Sequence, residues 1–265
     1  MYPFWKPIVK PLLMAADPKT LIEIGSEAGK NTINLLEYCR ERNATLQAID
    51  PSPRFDVDAW EREHVGRLTV HRGLSLEVLP RLAPADCVCV DGDHNWYTVR
   101  EELRLIDERS VGAGAPLPLI LLHDIGWPYA RRDLYYDPAT IPADYRQPYQ
   151  RKGIMPGVSE LMERGGHNAT LCNATREGGR QNGVLTAVED YLRESPLPRE
   201  LILIPGFSGL GILFDRSRFA SNSAFCALIR DLTPSPLIAR YIEMLERSRI
   251  ALMIRSPARG LVPAR

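Results

Sequence analysis

The chain of 265 residues carries no excess of either charge, because Lys+Arg 33 balance Asp+Glu 33. A protein without surplus positive charge lacks the electrostatic term behind most non-specific nucleic-acid affinity, so duplex binding is disfavoured as its main task. Paired cysteines are missing as well. Cys39, Cys87, Cys89, Cys172 and Cys226 are odd in number and show no CxxC spacing. That pattern argues against a disulfide framework or a structural zinc site and points to a reducing, cytoplasmic setting. No long hydrophobic run occurs either. The apolar stretch from Met1 to Ala16 is interrupted by Pro3, Lys6, Pro7, Lys10 and Pro11, too broken for a signal-peptide core or a membrane span. The rest of the composition, 45% hydrophobic and 25% charged, excludes disordered and fibrous classes.

What is present is alternation. Short β-rich runs exchange with helical patterns, the mark of a parallel sheet covered by helices. Strands are expected over 20–24, 44–49, 67–71, 86–90, 117–122, 201–204 and 210–214. Helices are expected from about Lys30, then over 58–65, 74–82, 96–107 and 183–193, and over 223–254 with breaks at Pro234 and Pro236. Several strands are apolar without polar alternation, which fits a sheet buried on both faces. Residues 125–181 break the rhythm: they are rich in Tyr, Arg, Pro and Gly and weakly periodic. A connection of that length reads as a lid or binding loop. No repeat or linker marks a second domain. One domain over 1–265 is expected, with an N-terminal helical segment (1–19), a lid insertion (125–182) and a C-terminal helical extension (220–265).

Four motifs carry chemistry, all at the ends of expected strands. Glu23-Ile24-Gly25-Ser26-Glu27-Ala28-Gly29 places two glycines four apart between strand and helix, where backbone can approach a ligand closely. It lacks the GxxxxGK[ST] of a P-loop, and Glu27 suits a pyrophosphate poorly. The pattern favours a nucleoside without phosphates, or else a plain glycine-rich turn. Asp50 ends the second strand, where an acid binds ribose hydroxyls in doubly wound folds or forms an Asx turn before Pro51. Asp91-Gly92-Asp93-His94-Asn95-Trp96-Tyr97 follows the fourth strand. There His94 can take a proton near neutrality, and Asp93 or Asn95 can cap the next helix. His123-Asp124 follows the fifth strand; with Asp91 the pair can gather around one divalent cation or shape the lid entrance as a hydrogen-bonded pair.

With these residues assembled, the chain resembles the class I S-adenosylmethionine-dependent methyltransferases, in the branch holding natural-product (sugar and antibiotic tailoring) and catechol-type enzymes. The resemblance covers about Leu21 to Asp124 well, and Gly183 to Phe214 by strand order only. It implies an α/β, Rossmann-like sheet of seven mostly parallel strands with helices on both faces, the last strand antiparallel, and a lid after strand five. It also implies that Glu23, Gly25, Ser26 and Gly29 line the methionine side of S-adenosylmethionine, with Asp50 on the ribose and Gly73 and Ser75 near the adenine. Asp91 would serve both the cofactor and catalysis with His94. Asp91, His123 and Asp124 fall where metal-using relatives hold Mg²⁺, though a histidine departs from that pattern.

The acceptor expected is a hydroxyl or amine of a small molecule, sugar-containing or nucleotide-activated. Trp127, Tyr129 and Arg131 are the best candidates for its contacts. The lid interleaves Arg131, Arg132, Arg146, Arg151 and Lys152 with tyrosines; arginine forks suit phosphate or carboxylate, unless Asp133, Asp137 and Asp144 pair with them. No nucleic-acid or membrane partner is expected, and relatives that assemble through N-terminal segments and lids imply a homo-oligomer. Two other readings stand beside this one: an NAD-dependent oxidoreductase on the same fold, and a non-catalytic cofactor-binding partner protein.

Overall fold

The computed structural model describes residues 1–255; the last ten residues of the expected C-terminal extension lie outside them. Seven strands form the central sheet: β1 (Thr20–Ile24), β2 (Thr45–Ile49), β3 (Leu68–His71), β4 (Cys87–Val90), β5 (Leu119–His123) and, late in the chain, Glu200–Ile204 and Leu210–Phe214. The spatial order is β3-β2-β1-β4-β5, then Leu210–Phe214, then Glu200–Ile204 at the edge. Leu210–Phe214 runs antiparallel to both neighbours, while β1 to β5 pair in parallel. The expected seven strands with an antiparallel last member are the strands observed.

Why polar alternation is missing becomes clear from where successive side chains go. Side chains on a strand point to opposite faces in turn, and here each face has its own core. Cys87, Cys89, Leu119 and Leu121 enter one core, together with Leu35, Leu36 and Cys39. Val88, Val90, Ile120 and Leu122 enter the other, with Val99, Leu103 and Ile106. The first core receives α1 (Lys10–Ala16) and α2 (Lys30–Arg42); the second receives α4 (Ser75–Val78) and α5 (Trp96–Gly112). Between β2 and β3, α3 (Val57–Glu63) is capped by Asp56, whose side chain accepts from Ala59 N. The helix expected over 74–82 is shorter, giving way to a 3₁₀ turn at Leu79–Arg81, because Pro80 has no N–H to donate. All five cysteines are free, and four are buried.

The lid is not irregular. Its strands β6 (Leu134–Tyr135), β7 (Tyr149–Arg151) and β8 (Cys172–Ala174) form a small sheet ordered β6-β8-β7. Its root is held by Asp133, fully buried. Oδ1 of Asp133 accepts from Trp96 N at 2.7 Å and Gly183 N at 2.6 Å, and Oδ2 accepts from Tyr135 Oη at 2.8 Å. One carboxylate therefore ties the lid to the start of α5 and to α6 (Val184–Glu194). Burial pushes its pKa up to about 6. The late strands, now β9 (Glu200–Ile204) and β10 (Leu210–Phe214), precede α7 (Ser223–Leu232) and α8 (Pro236–Arg255).

Candidate active site

The carboxyl ends of β1, β2, β4 and β5 converge, as open α/β sheets require of a ligand site. Gly25 has φ of +86°, and a Cβ there would lie 2.2 Å from the carbonyl oxygen of Asp91. Only glycine lets the turn after β1 close onto the end of β4. Gly29, at φ +75°, is covered by the rings of Trp60 and Phe55, which stack 4.3 Å apart. Asp50 is buried and turned toward the same loop. Its Oδ2 accepts from Ser26 N at 2.9 Å and Glu27 N at 2.7 Å, and its Oδ1 accepts from Ser52 N at 2.7 Å. The acid thus braces the glycine turn and forms the Asx turn before Pro51 as well. Glu23 lies beneath, with Asn31 and Thr32 donating to its two oxygens at 2.8 and 2.6 Å, while burial pushes its pKa up to about 7.

Beside this floor four ionisable side chains meet. His94 Nε2 lies 2.7 Å from Asp124 Oδ2 and 3.9 Å from Asp91 Oδ1. His123 Nδ1 lies 2.8 Å from Asp124 Oδ2 and 3.1 Å from Asp91 Oδ1, and its Nε2 is 3.1 Å from the carbonyl of Phe207. The amino group of Met1 donates to Asp91 Oδ2 at 2.5 Å. Burial opposes charge on His94, but Asp124 and then Asp91 outweigh it, so its pKa is raised above the usual imidazole value. Burial likewise opposes charge on His123, and the same two carboxylates raise it to about 10. Asp124 is held well below the carboxylate range: burial alone would raise it, and the two histidines overcome that. Its backbone is left-handed, φ +58°, a conformation costly for most residues and common at functional sites.

His94 is fixed from three sides. Asn95 caps α5 through Thr98 N at 2.9 Å, the His94 carbonyl accepts from Leu134 N of β6 at 2.9 Å, and the rings of Tyr129 and Tyr136 lie 5.5 and 5.7 Å away. With Nε2 facing Asp124, Nδ1 is buried without a hydrogen-bond partner among the described residues.

Asp91, His123 and Asp124 offer ligand atoms within 4.8 Å of one another, yet the donor set does not fit magnesium. Mg²⁺ takes an octahedron of oxygens. Both nitrogens of His123 face oxygen acceptors, so the ring presents N–H bonds rather than a lone pair to the carboxylates. Its positive charge stands between Asp91 and Asp124.

The remaining expected residues divide. Trp127 and Arg131 line a cleft of about 720 Å³, bounded also by Leu185, Pro205, Glu246 and Ile250. The Trp127 indole N–H is buried and unpartnered among the described residues. Arg131 is already gripped by Glu189 at 2.5 and 2.7 Å. Tyr129 packs under the lid, its hydroxyl donating to Asn173 Oδ1 at 3.2 Å. The lid arginines do not pair with Asp133, Asp137 or Asp144; Arg132, fully buried, donates to the carbonyls of Ala174 and Ser159. Ser75 donates to Glu102 Oε1 at 2.5 Å. Glu102 escaped sequence reasoning, although its signal was there: an acid three residues after Val99 and four before Ile106, inside the apolar stripe. It is fully buried, and burial raises its pKa to about 8.

Residues 22–125 match the family model described as a methyltransferase domain, and the match ends where the lid begins. Similar solved structures include an SAH-bound methyltransferase of Podospora anserina, 19% identical over 77% of this chain and 76% of that one, TM-score 0.47. A Geobacter sulfurreducens methyltransferase is 12% identical over 78% and 77%, TM-score 0.41. The 1,6-didemethyltoxoflavin-N1-methyltransferase of Burkholderia thailandensis is 14% identical over 79% and 75%, TM-score 0.43. No curated protein matches the chain.

Proposed function

We propose that the protein transfers a methyl group from S-adenosylmethionine to a hydroxyl or amine of a small molecule, with His94 as proton acceptor. The observation that carries this reading is the divided environment of His94. Asp124 engages Nε2, and Nδ1 is a buried nitrogen with no partner among the described residues. With the proton on Nε2, Nδ1 offers its lone pair, and the rings of Tyr129 and Tyr136 border the imidazole. The cofactor, when bound, supplies a methyl group on a sulfonium. As the acceptor oxygen or nitrogen bonds that methyl, the carbon–sulfur bond breaks, the acceptor's proton passes to His94 Nδ1, and S-adenosylhomocysteine leaves.

Two further features support the cofactor: the glycine floor brings only backbone to the β1–β4 junction, and Asp50 is positioned at the end of β2 against the glycine turn. Gly73 and Ser75, the latter bonded to Glu102, would face the adenine. His123, as an imidazolium, balances Asp91 and Asp124 and leaves proton transfer to His94. For the acceptor, the tyrosine faces and the free indole N–H of Trp127 favour a flat or sugar-like natural-product intermediate; the Arg131 fork, held by Glu189, adds little toward a nucleotide diphosphate. The test is transfer of labelled methyl from S-adenosylmethionine to candidate polyhydroxylated and aromatic acceptors, followed by mass spectrometry. His94→Gln should retain binding of S-adenosylhomocysteine and lose transfer. Undiminished transfer by that variant would remove His94 from the mechanism.

A further inference from the structure

The last helix carries a face that no described residue covers. Along α8, Leu237, Ile238, Tyr241, Met244, Leu245 and Leu252 are all exposed, Leu237 to 74% and Leu252 to 66%. The opposite side of the same helix is engaged: Ile250 is buried, Ile242 lies against Gly206, and Glu246 accepts from Ser208 N at 3.3 Å. The exposed residues are therefore a second face rather than a misplaced core.

We propose that this face is the contact between two copies of the chain, α8 packing antiparallel against its counterpart across a two-fold axis at Leu245. Three observations lead there. The first is spacing. Ile238, Leu245 and Leu252 recur every seven residues, with Tyr241 and Ser248 between them and Leu237, Met244 and Ala251 alongside. A seven-residue repeat keeps one seam facing a partner helix.

The second is symmetry. About Leu245, Ile238 and Leu252 are equidistant. A two-fold interface must be complementary to itself, so this arrangement selects a second copy over an unrelated partner.

The third is area. Taking about 200 Å² for a large apolar side chain, the six exposed fractions amount to roughly 700 Å². That lies within the roughly 600–1,000 Å² per partner of a stable interface and exceeds the ~300–600 Å² patch usual on a monomer. The charged residues Arg240, Glu243 and Arg247 lie off the seam, and Arg249, which flanks it, is occupied by Glu246 at 2.7 Å.

The pairing also bears on the active site. Glu246 holds the backbone at Ser208, and the neighbouring Phe207 carbonyl holds His123. A partner that steadies α8 steadies the turn against which His123 is set.

The experiment is light scattering on the eluted 265-residue chain at micromolar concentration, with Leu245→Glu and Leu245→Lys beside it. Wild type should show twice the 29.8 kDa chain mass, and each variant the single mass, with unchanged circular dichroism. Mixing the two variants should restore the doubled mass, because residue 245 meets its own counterpart at the axis. Should either variant fail to fold, Leu252→Glu breaks the same seam at a more exposed position and should be monomeric. A monomeric wild type overturns the proposal, including one that sediments with anionic vesicles, which would assign the face to a lipid surface. A Leu245→Glu protein that remains dimeric places the interface elsewhere, and failure of the mixture to pair removes the axis from Leu245.

Discussion

Replacing Asp124 by asparagine tests the proton-transfer geometry with little disturbance of the backbone. Asp124 occupies the left-handed region at φ +58°, which asparagine tolerates better than other substitutes. The change removes a carboxylate oxygen 2.7 Å from His94 Nε2 and 2.8 Å from His123 Nδ1. Two consequences follow. First, the amide can turn its NH₂ toward His94, moving the ring proton to Nδ1 and blocking the nitrogen that must accept. General-base catalysis contributes ~10²–10⁴ in rate, so kcat should fall by that factor, roughly 3–5 kcal/mol of barrier.

Second, the pH profile should move. His94 accepts a proton only when neutral, so kcat/KM of the wild type rises with pH, with an acid limb above the ordinary imidazole value, because Asp124 and Asp91 stabilise the charged ring. Without the Asp124 charge the limb moves to lower pH, while Asp91, Asp93 and His123 still face the ring. The assay is methyl transfer from pH 5 to 9, paired with calorimetry of S-adenosylhomocysteine. Retained kcat, or binding that falls as far as turnover, would refute the reasoning.

Two further outcomes concern the scaffold. Gly25→Ala should cost about 3 kcal/mol from a Cβ driven into the Asp91 backbone, read as a Tm drop of roughly 6–12 °C; an unchanged melt would show that the turn can open. Glu102 is protonated in the folded chain up to about pH 8 but ionises near 4.5 when unfolded, so wild-type stability falls as pH rises between those values. Glu102→Gln should remove that loss, up to about 4 kcal/mol, and gain on wild type between pH 5 and pH 9 in denaturant titrations. An equal difference at both pH values would mean that Glu102 is ionised in the fold.

The sheet was readable because its strands fill two cores at once, so runs such as Cys87–Val90 and Leu119–Leu122 stand out without needing to know what packs on them. The order within the lid was not. Its cohesion comes from Asp133, Asn173 and Asn182, whose amides and carboxylate satisfy backbone groups 21 to 50 residues away, and such pairings leave no periodic trace. At the site, motif spacing located Asp91, His94, His123 and Asp124, since each follows a strand whose neighbour could be inferred. What each residue touches was less accessible. The turn before Pro51 is local, whereas the bonds from Ser26 and Glu27 to Asp50 depend on how two loops meet. Arg131 read as a free fork because Glu189, 58 residues on, is brought to it only by α6.

The central claim is that Gly25 and Asp50 belong to an S-adenosylmethionine site. Titration calorimetry of the full chain with S-adenosylhomocysteine and, separately, with NAD decides it. Saturable one-to-one binding of the first and none of the second is the predicted result. Heat from NAD alone, or from neither ligand, would contradict it.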